Sequence, residues 1–165
     1  MRLTLATLLC LFAGLSFAQE TTPIRMRDPV PYARGSDVPD RIRHECTALG
    51  HEIAFMVKGL MRGKVQLVEG SLPTRGPGDV LQVEIVDVTS EGNAFLGHNQ
   101  SITLRGTLYR NGGKAASFQA RRSQQSDNLL TACANLDGLA PNFARDISRW
   151  LKDPKDGAEL GRSWF

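Results

Sequence analysis

Between residues 42 and 60 the apolar positions Ile42, Cys46, Leu49, Ile53, Met56 and Leu60 recur at steps of three and four. That spacing draws one apolar stripe and predicts a single helix of about 22 residues. Asp37 precedes it as a candidate cap, Pro39 and Asp40 suit its first turn, and Gly63 supplies a stop. Residues 53–57 are apolar almost all round, with Phe55 on the face opposite Leu49 and Leu60. A large apolar side chain there predicts either a second covering layer or a surface left for a partner.

The rhythm then changes from helical to alternating. Val65 and Leu67 mark a first strand over 64–69, and Leu81, Val83 and Ile85 a second over 79–88. The second shifts phase by one residue, to Val86 and Val88. A β-bulge produces such a shift, and a strand buried on both faces reads the same way. Residues 70–78 read as a loop, and 89–100 as a longer connection carrying Gly92, Asn93, Gly97 and His98.

Two further strands form a hairpin. Ile102, Leu104, Gly106 and Leu108 alternate with polar residues, and Ala116, Phe118 and Ala120 do so after Asn111-Gly112-Gly113. A two-residue turn would pair Leu108 with Ala115 and set the two apolar faces out of phase. A three-residue turn pairs Arg110 with Lys114, Leu108 with Ala116, Gly106 with Phe118 and Leu104 with Ala120, and buries both together. Phe118 also fills the space that Gly106 leaves. Finally Leu129, Cys133, Leu136, Ala140, Phe143, Ile147 and Leu151 restore helical spacing. Gly138 and Pro141 interrupt it, predicting a kink or a second helix starting near Asp137.

The predicted order is α-β-β-β-β-α. It implies an α+β protein, a two-layer α/β sandwich in which a four-stranded antiparallel sheet carries two helices on one face. The single domain spans residues 38–153. Residues 19–37, with Pro23, Pro29 and Pro31, read as an extended arm. Residues 154–165 read as a loose tail in which Trp164 and Phe165 are able to dock.

The first 18 residues stand apart. Arg2, an apolar run over 3–15 and Ser16-Phe17-Ala18 have the layout of a signal peptide cleaved between Ala18 and Gln19. The run is shorter than the roughly 20 residues of a membrane-spanning helix, so no transmembrane segment is expected. Leu9 stands before Cys10 where a lipidation signal wants a small residue, which argues against lipidation there. Export leaves Cys46 and Cys133, two thiols that in an oxidising compartment most often pair. Both fall on helix core faces, so a bridge would staple the helices together. The expected location is periplasmic, or secreted.

Composition narrows the function mainly by exclusion. Without residues 1–18, which carry one Arg and no acid, the net charge is about +2, too slight for a nucleic-acid binder. His44, His51 and His98 are the only histidines. The first two stand seven residues apart, about 10.5 Å along a helix and too far to share a metal. Phe55 occupies the position where a second ligand would follow His51-Glu52. No nucleophile elbow or P-loop occurs, so no catalytic residue, metal or cofactor is expected. One surface invites a ligand. Residues 92–126 contain no acid but carry Arg105, Arg110, Lys114, Arg121 and Arg122. Arg105, Tyr109, Gln119 and Arg121 share the outer face of the hairpin. They suit a small anionic or polar ligand or a protein partner, although a solvated sheet face needs such residues anyway.

The run 78–85, the strand 101–109, Ser117-Phe118-Gln119-Ala120-Arg121-Arg122-Ser123, Thr131-Ala132-Cys133 and Asp146-Ile147-Ser148-Arg149-Trp150-Leu151 together resemble a family of small exported Gram-negative proteins of unknown function. The resemblance covers roughly residues 41–152. It implies a two-layer α/β fold, a Cys46–Cys133 pair and a periplasmic home, and carries over no catalytic residue. The resulting expectation is a non-enzymatic binding or assembly module of the cell envelope, with an envelope protein partner. The alternatives are a secreted inhibitor or virulence-associated factor and, third, a small hydrolase.

Overall fold

The computed structural model describes residues 22–93, 97–126 and 132–161. The expected signal peptide, its cleavage site at Ala18 and Gln19, Leu129 and the Trp164-Phe165 pair lie outside the described residues. In chain order the elements are β1 (Ile24–Asp28), α1 (Asp40–Glu45), α2 (Ala48–Met61), β2 (Val65–Glu69), β3 (Asp79–Asn93) and β4 (Gly97–Arg110). They continue with β5 (Gly113–Ser126), α3 (Ala132–Asp137), α4 (Ala140–Trp150) and β6 (Ala158–Leu160). Among the described residues the strands form one six-stranded sheet in the order β2-β1-β3-β4-β5-β6.

The expected four-stranded antiparallel sheet is thus corrected to a mixed one. Strands β3, β4 and β5 are antiparallel, whereas β1 lies parallel to both β2 and β3, and β6 parallel to β5. The extra strands come from the segments assigned to an arm and a tail. In β1 only Met26 is fully buried, so five residues offer too little alternation to register as a strand. Pro23 and Pro29 flank it without interrupting it, which keeps its ladder donors intact. Strand β6 has three residues and depends on β5 for its pairing.

The hairpin keeps its predicted core register, with Leu108 opposite Ala116, Gly106 opposite Phe118 and Leu104 opposite Ala120. Its turn differs from the prediction. Asn111 and Gly112 both have positive φ, at 49° and 84°, and form a two-residue turn with Arg110 opposite Gly113. A register shift beside Leu108 accommodates Ala115 as an extra residue and restores the phase. The second predicted irregularity falls where the pattern put it, with the β3 register shifting between Ile85 and Asp87. The connection expected at 89–100 is instead mostly strand. Thr89 pairs with Ser101 and Ser90 with Gln100, polar residues that give no alternation to read.

Each predicted helix divides in two. The first breaks at Cys46-Thr47, where the Tyr32 hydroxyl donates to the Cys46 carbonyl at 3.1 Å. Pro39, not Asp37, occupies the cap position of α1. Helix α2 ends at Arg62 and Gly63, both with positive φ, as the glycine suggested. The second predicted helix breaks at Gly138-Leu139, and Pro141 sits in the first turn of α4, where its missing N–H costs nothing.

The alternate strand residues Leu81, Ile85, Leu104, Phe118 and Ala120 pack into one core with Leu49, Ile53, Val57, Phe143 and Ile147 from the helices. Gly50 lets α2 lie directly on the chain after β1, because a Cβ there would collide with the Val30 carbonyl oxygen. Cys46 and Cys133 form a disulfide with Cα atoms 5.1 Å apart, tying the α1–α2 junction to α3.

Candidate functional site

The last two turns of α2 carry more apolar residues than one face can bury. Past Ile53 the buried line runs through Val57 and Met61; of the two later residues the stripe predicted for the core, Met56 is half-buried against it and Leu60 turns outward. Leu60 is 51 % exposed and Phe55 69 %, the large hydrophobic side chains that stand out on the surface of the described residues. Helix α4 packs alongside, and its first turns bring Pro141, Ala144 and Arg145 to the same place. Together with Glu52, Phe55, Met56, Gly59 and Leu60 they line an open groove of about 600 Å³. Gly59 forms a bare stretch of wall, where an added Cβ would meet no atom within 4 Å.

The electrostatics around the groove are uneven. Asp137, at the end of α3, has a buried Oδ1 with no hydrogen-bond partner among the described residues. Burial raises its carboxyl above the usual range, and the nearby Glu52 carboxylate adds to the effect. Burial also raises the Tyr32 phenol, with Asp137 contributing and Arg43, stacked 5.7 Å from the Tyr32 ring centre, opposing. Glu52 makes no ion pair among the described residues. Arg145 donates to the Asn142 side chain and has no carboxylate partner among them.

The hairpin face differs from its sequence reading. Arg105 and Gln119 lie opposite each other, as do Thr103 and Arg121, and Tyr109 lies opposite Lys114. However, acids outside residues 92–126 neutralise most of the cations. Glu84 pairs with Arg105 at 2.9 Å, Asp79 with Arg110 at 3.6 Å, and Asp156 with Lys114 at 3.0 Å. Arg122 turns inward and grips the buried Asp146 with two hydrogen bonds of 2.9 and 2.8 Å. Arg121 alone of the five makes no ion pair among the described residues. Phe55 lies away from this face, because Arg105, Gln119 and Arg121 alternate with the strand residues that join the helices in the core.

Other constellations are modest. His51 Nδ1 lies 2.8 Å from Asp28 Oδ1, and no group of three or more His, Cys, Asp or Glu side chains among the described residues is placed to hold a metal. A second depression, of about 430 Å³, lies between α4 and β6, but its most buried acid, Asp146, is already held by Arg122. Of the sequence candidates, then, Phe55 belongs to a concave site and the hairpin residues to an open, largely charge-neutralised face. Sequence reasoning missed Gly59, Pro141 and Ala144, whose only signal was small or turn-forming character, and Arg145, a single surface cation with nothing local to mark it.

No protein-family profile matches the chain, and no curated protein matches it in sequence. Among solved structures, a minor lipoprotein from Acinetobacter baumannii is similar at 11 % identity and a TM-score of 0.42, over 77 % of this chain and 91 % of that one. A similarity at this level assigns neither family nor function.

Proposed function

We propose that the chain is a non-enzymatic binding or assembly module of the bacterial cell envelope, working in the periplasm after removal of residues 1–18, and that it docks through the α2–α4 groove. The observation that carries the docking site is the joint exposure of Phe55 and Leu60, the large apolar side chains most open to solvent among the described residues, around a concave apolar wall. The signal-like N-terminus and the disulfide support an oxidising compartment. No described helix is long and apolar enough to cross a membrane. The hairpin residues Arg105, Tyr109, Gln119 and Arg121 rank second as a ligand surface, because ion pairs hold most of the charge there.

A photoreactive amino acid placed at Phe55, and separately at Gln119, in an exported copy tests this in living cells. Crosslinked products from position 55 in the periplasmic fraction, with none from position 119, are the expected result. Products only from position 119 would move the site to the hairpin. Release into the medium with no crosslinks from either position would overturn the envelope-module reading in favour of a secreted factor.

A further inference from the structure

We infer that the occupant of the α2–α4 groove is a second copy of this chain, docked about a two-fold axis. This rests on the reading of the groove as a docking site and names its partner. The first support is shape. Phe55 projects from α2 and Gly59 leaves a hollow one turn further along the same ridge. When two copies of α2 cross antiparallel, each Phe55 comes over Gly59 of the partner subunit. The knob of one copy then fills the hollow of the other, with Pro141 and Ala144 as the far wall. A two-fold contact requires this kind of self-complementarity, one patch that carries both the projection and its socket.

Charge is the second support. The groove carries one acid, Glu52, and one base, Arg145, neither in an ion pair among the described residues. Within one copy Glu52 instead raises the carboxyl of Asp137, a like-charge neighbour. The two-fold arrangement sets each Glu52 towards Arg145 of the partner subunit, so both charges find opposites twice over. Without residues 1–18 the formal net charge is about +2, too small to hold two copies apart at ordinary salt.

Sedimentation velocity of the exported full chain, at about 1 to 200 µM, reads this directly. Conversion from one-chain to two-chain mass over that range is expected. Phe55→Asp and Gly59→Leu should each weaken association by at least about tenfold, the usual effect of losing a central apolar anchor. Gly59 lies in a helix with open space beside it, so Gly59→Leu should leave the melting temperature unchanged or higher, which separates loss of pairing from unfolding. Glu52→Arg and Arg145→Glu should each weaken pairing alone, and the double variant should restore it. A single-chain mass at every concentration overturns the inference, as does a dimer indifferent to these variants. Monomeric protein with position 55 still crosslinking to a different envelope protein would remove the second copy and leave the docking site standing. Loss of both would remove both.

Discussion

Asp137 and Gly106 illustrate how single positions are tuned by what packs on them. The raised Asp137 carboxyl means the folded protein binds a proton there more readily than the unfolded chain does. Below the unfolded value, about pH 4, the group is neutral in both states and costs nothing. As pH rises through the folded value its ionisation becomes a destabilising load. Asp137→Asn should therefore raise the melting temperature at pH 7, and the gain should vanish near pH 3. Thermal unfolding of both proteins across that range checks it, and a pH-independent difference would exclude the buried carboxyl as the cause. At Gly106 a Cβ would run into the ring of Phe118, which itself meets Trp150 edge-on with centroids 4.8 Å apart. Gly106→Val should cost about 1–3 kcal/mol in urea unfolding, as overpacking of a filled core does.

Strand β6 has three residues and no hydrophobic run of its own, so side-chain ties decide whether it stays paired. The Asp156 carboxylate accepts from the Ser117 hydroxyl at 2.5 Å and meets Lys114 at 3.0 Å. The Ser117 bond, then Lys114, lowers its ionisation below the ordinary value. A depressed carboxylate contributes stability that is present above the unfolded value and is lost as pH falls through the folded one. The tie is thus intact at neutral pH and weakens only below about pH 4. Asp156→Ala should speed amide exchange at Glu159 and Leu160 at pH 7 while leaving α2 and β4 unchanged. Equal protection in both proteins would show that β5 holds β6 without it.

Across the whole molecule, the Cys46–Cys133 bridge closes a loop of 87 residues that contains α2, β2 and the three long strands. Chain-entropy arguments give roughly 4.6 kcal/mol for a loop of that size. That is a large share of the stability typical of one domain. The Cys46→Ser, Cys133→Ser double variant should unfold at much lower urea, whereas adding reductant to the double variant should change nothing further. A midpoint equal to the wild type would mean the helices hold their place without the bridge.

How much the chain declares in advance depends on how local the cause is. The hairpin register from Leu104 to Leu108, the bulge after Ile85, the break before Pro141 and the pairing of the two cysteines were legible because each follows from alternation, backbone chemistry or compartment. Strands β1 and β6 were not, since short segments become strands only when a neighbouring edge accepts them. The phase of α2 past Ile53 was undecided by a segment apolar on every side. Packing against α4 chose Val57 and Met61 for the core, turned Leu60 out and so built the groove. The cations of the hairpin were plain in the sequence, but Glu84, Asp79 and Asp156, which neutralise three of them, arrive from other segments. Local periodicity thus determined which residues could be buried, and only the tertiary arrangement decided which of them stayed exposed.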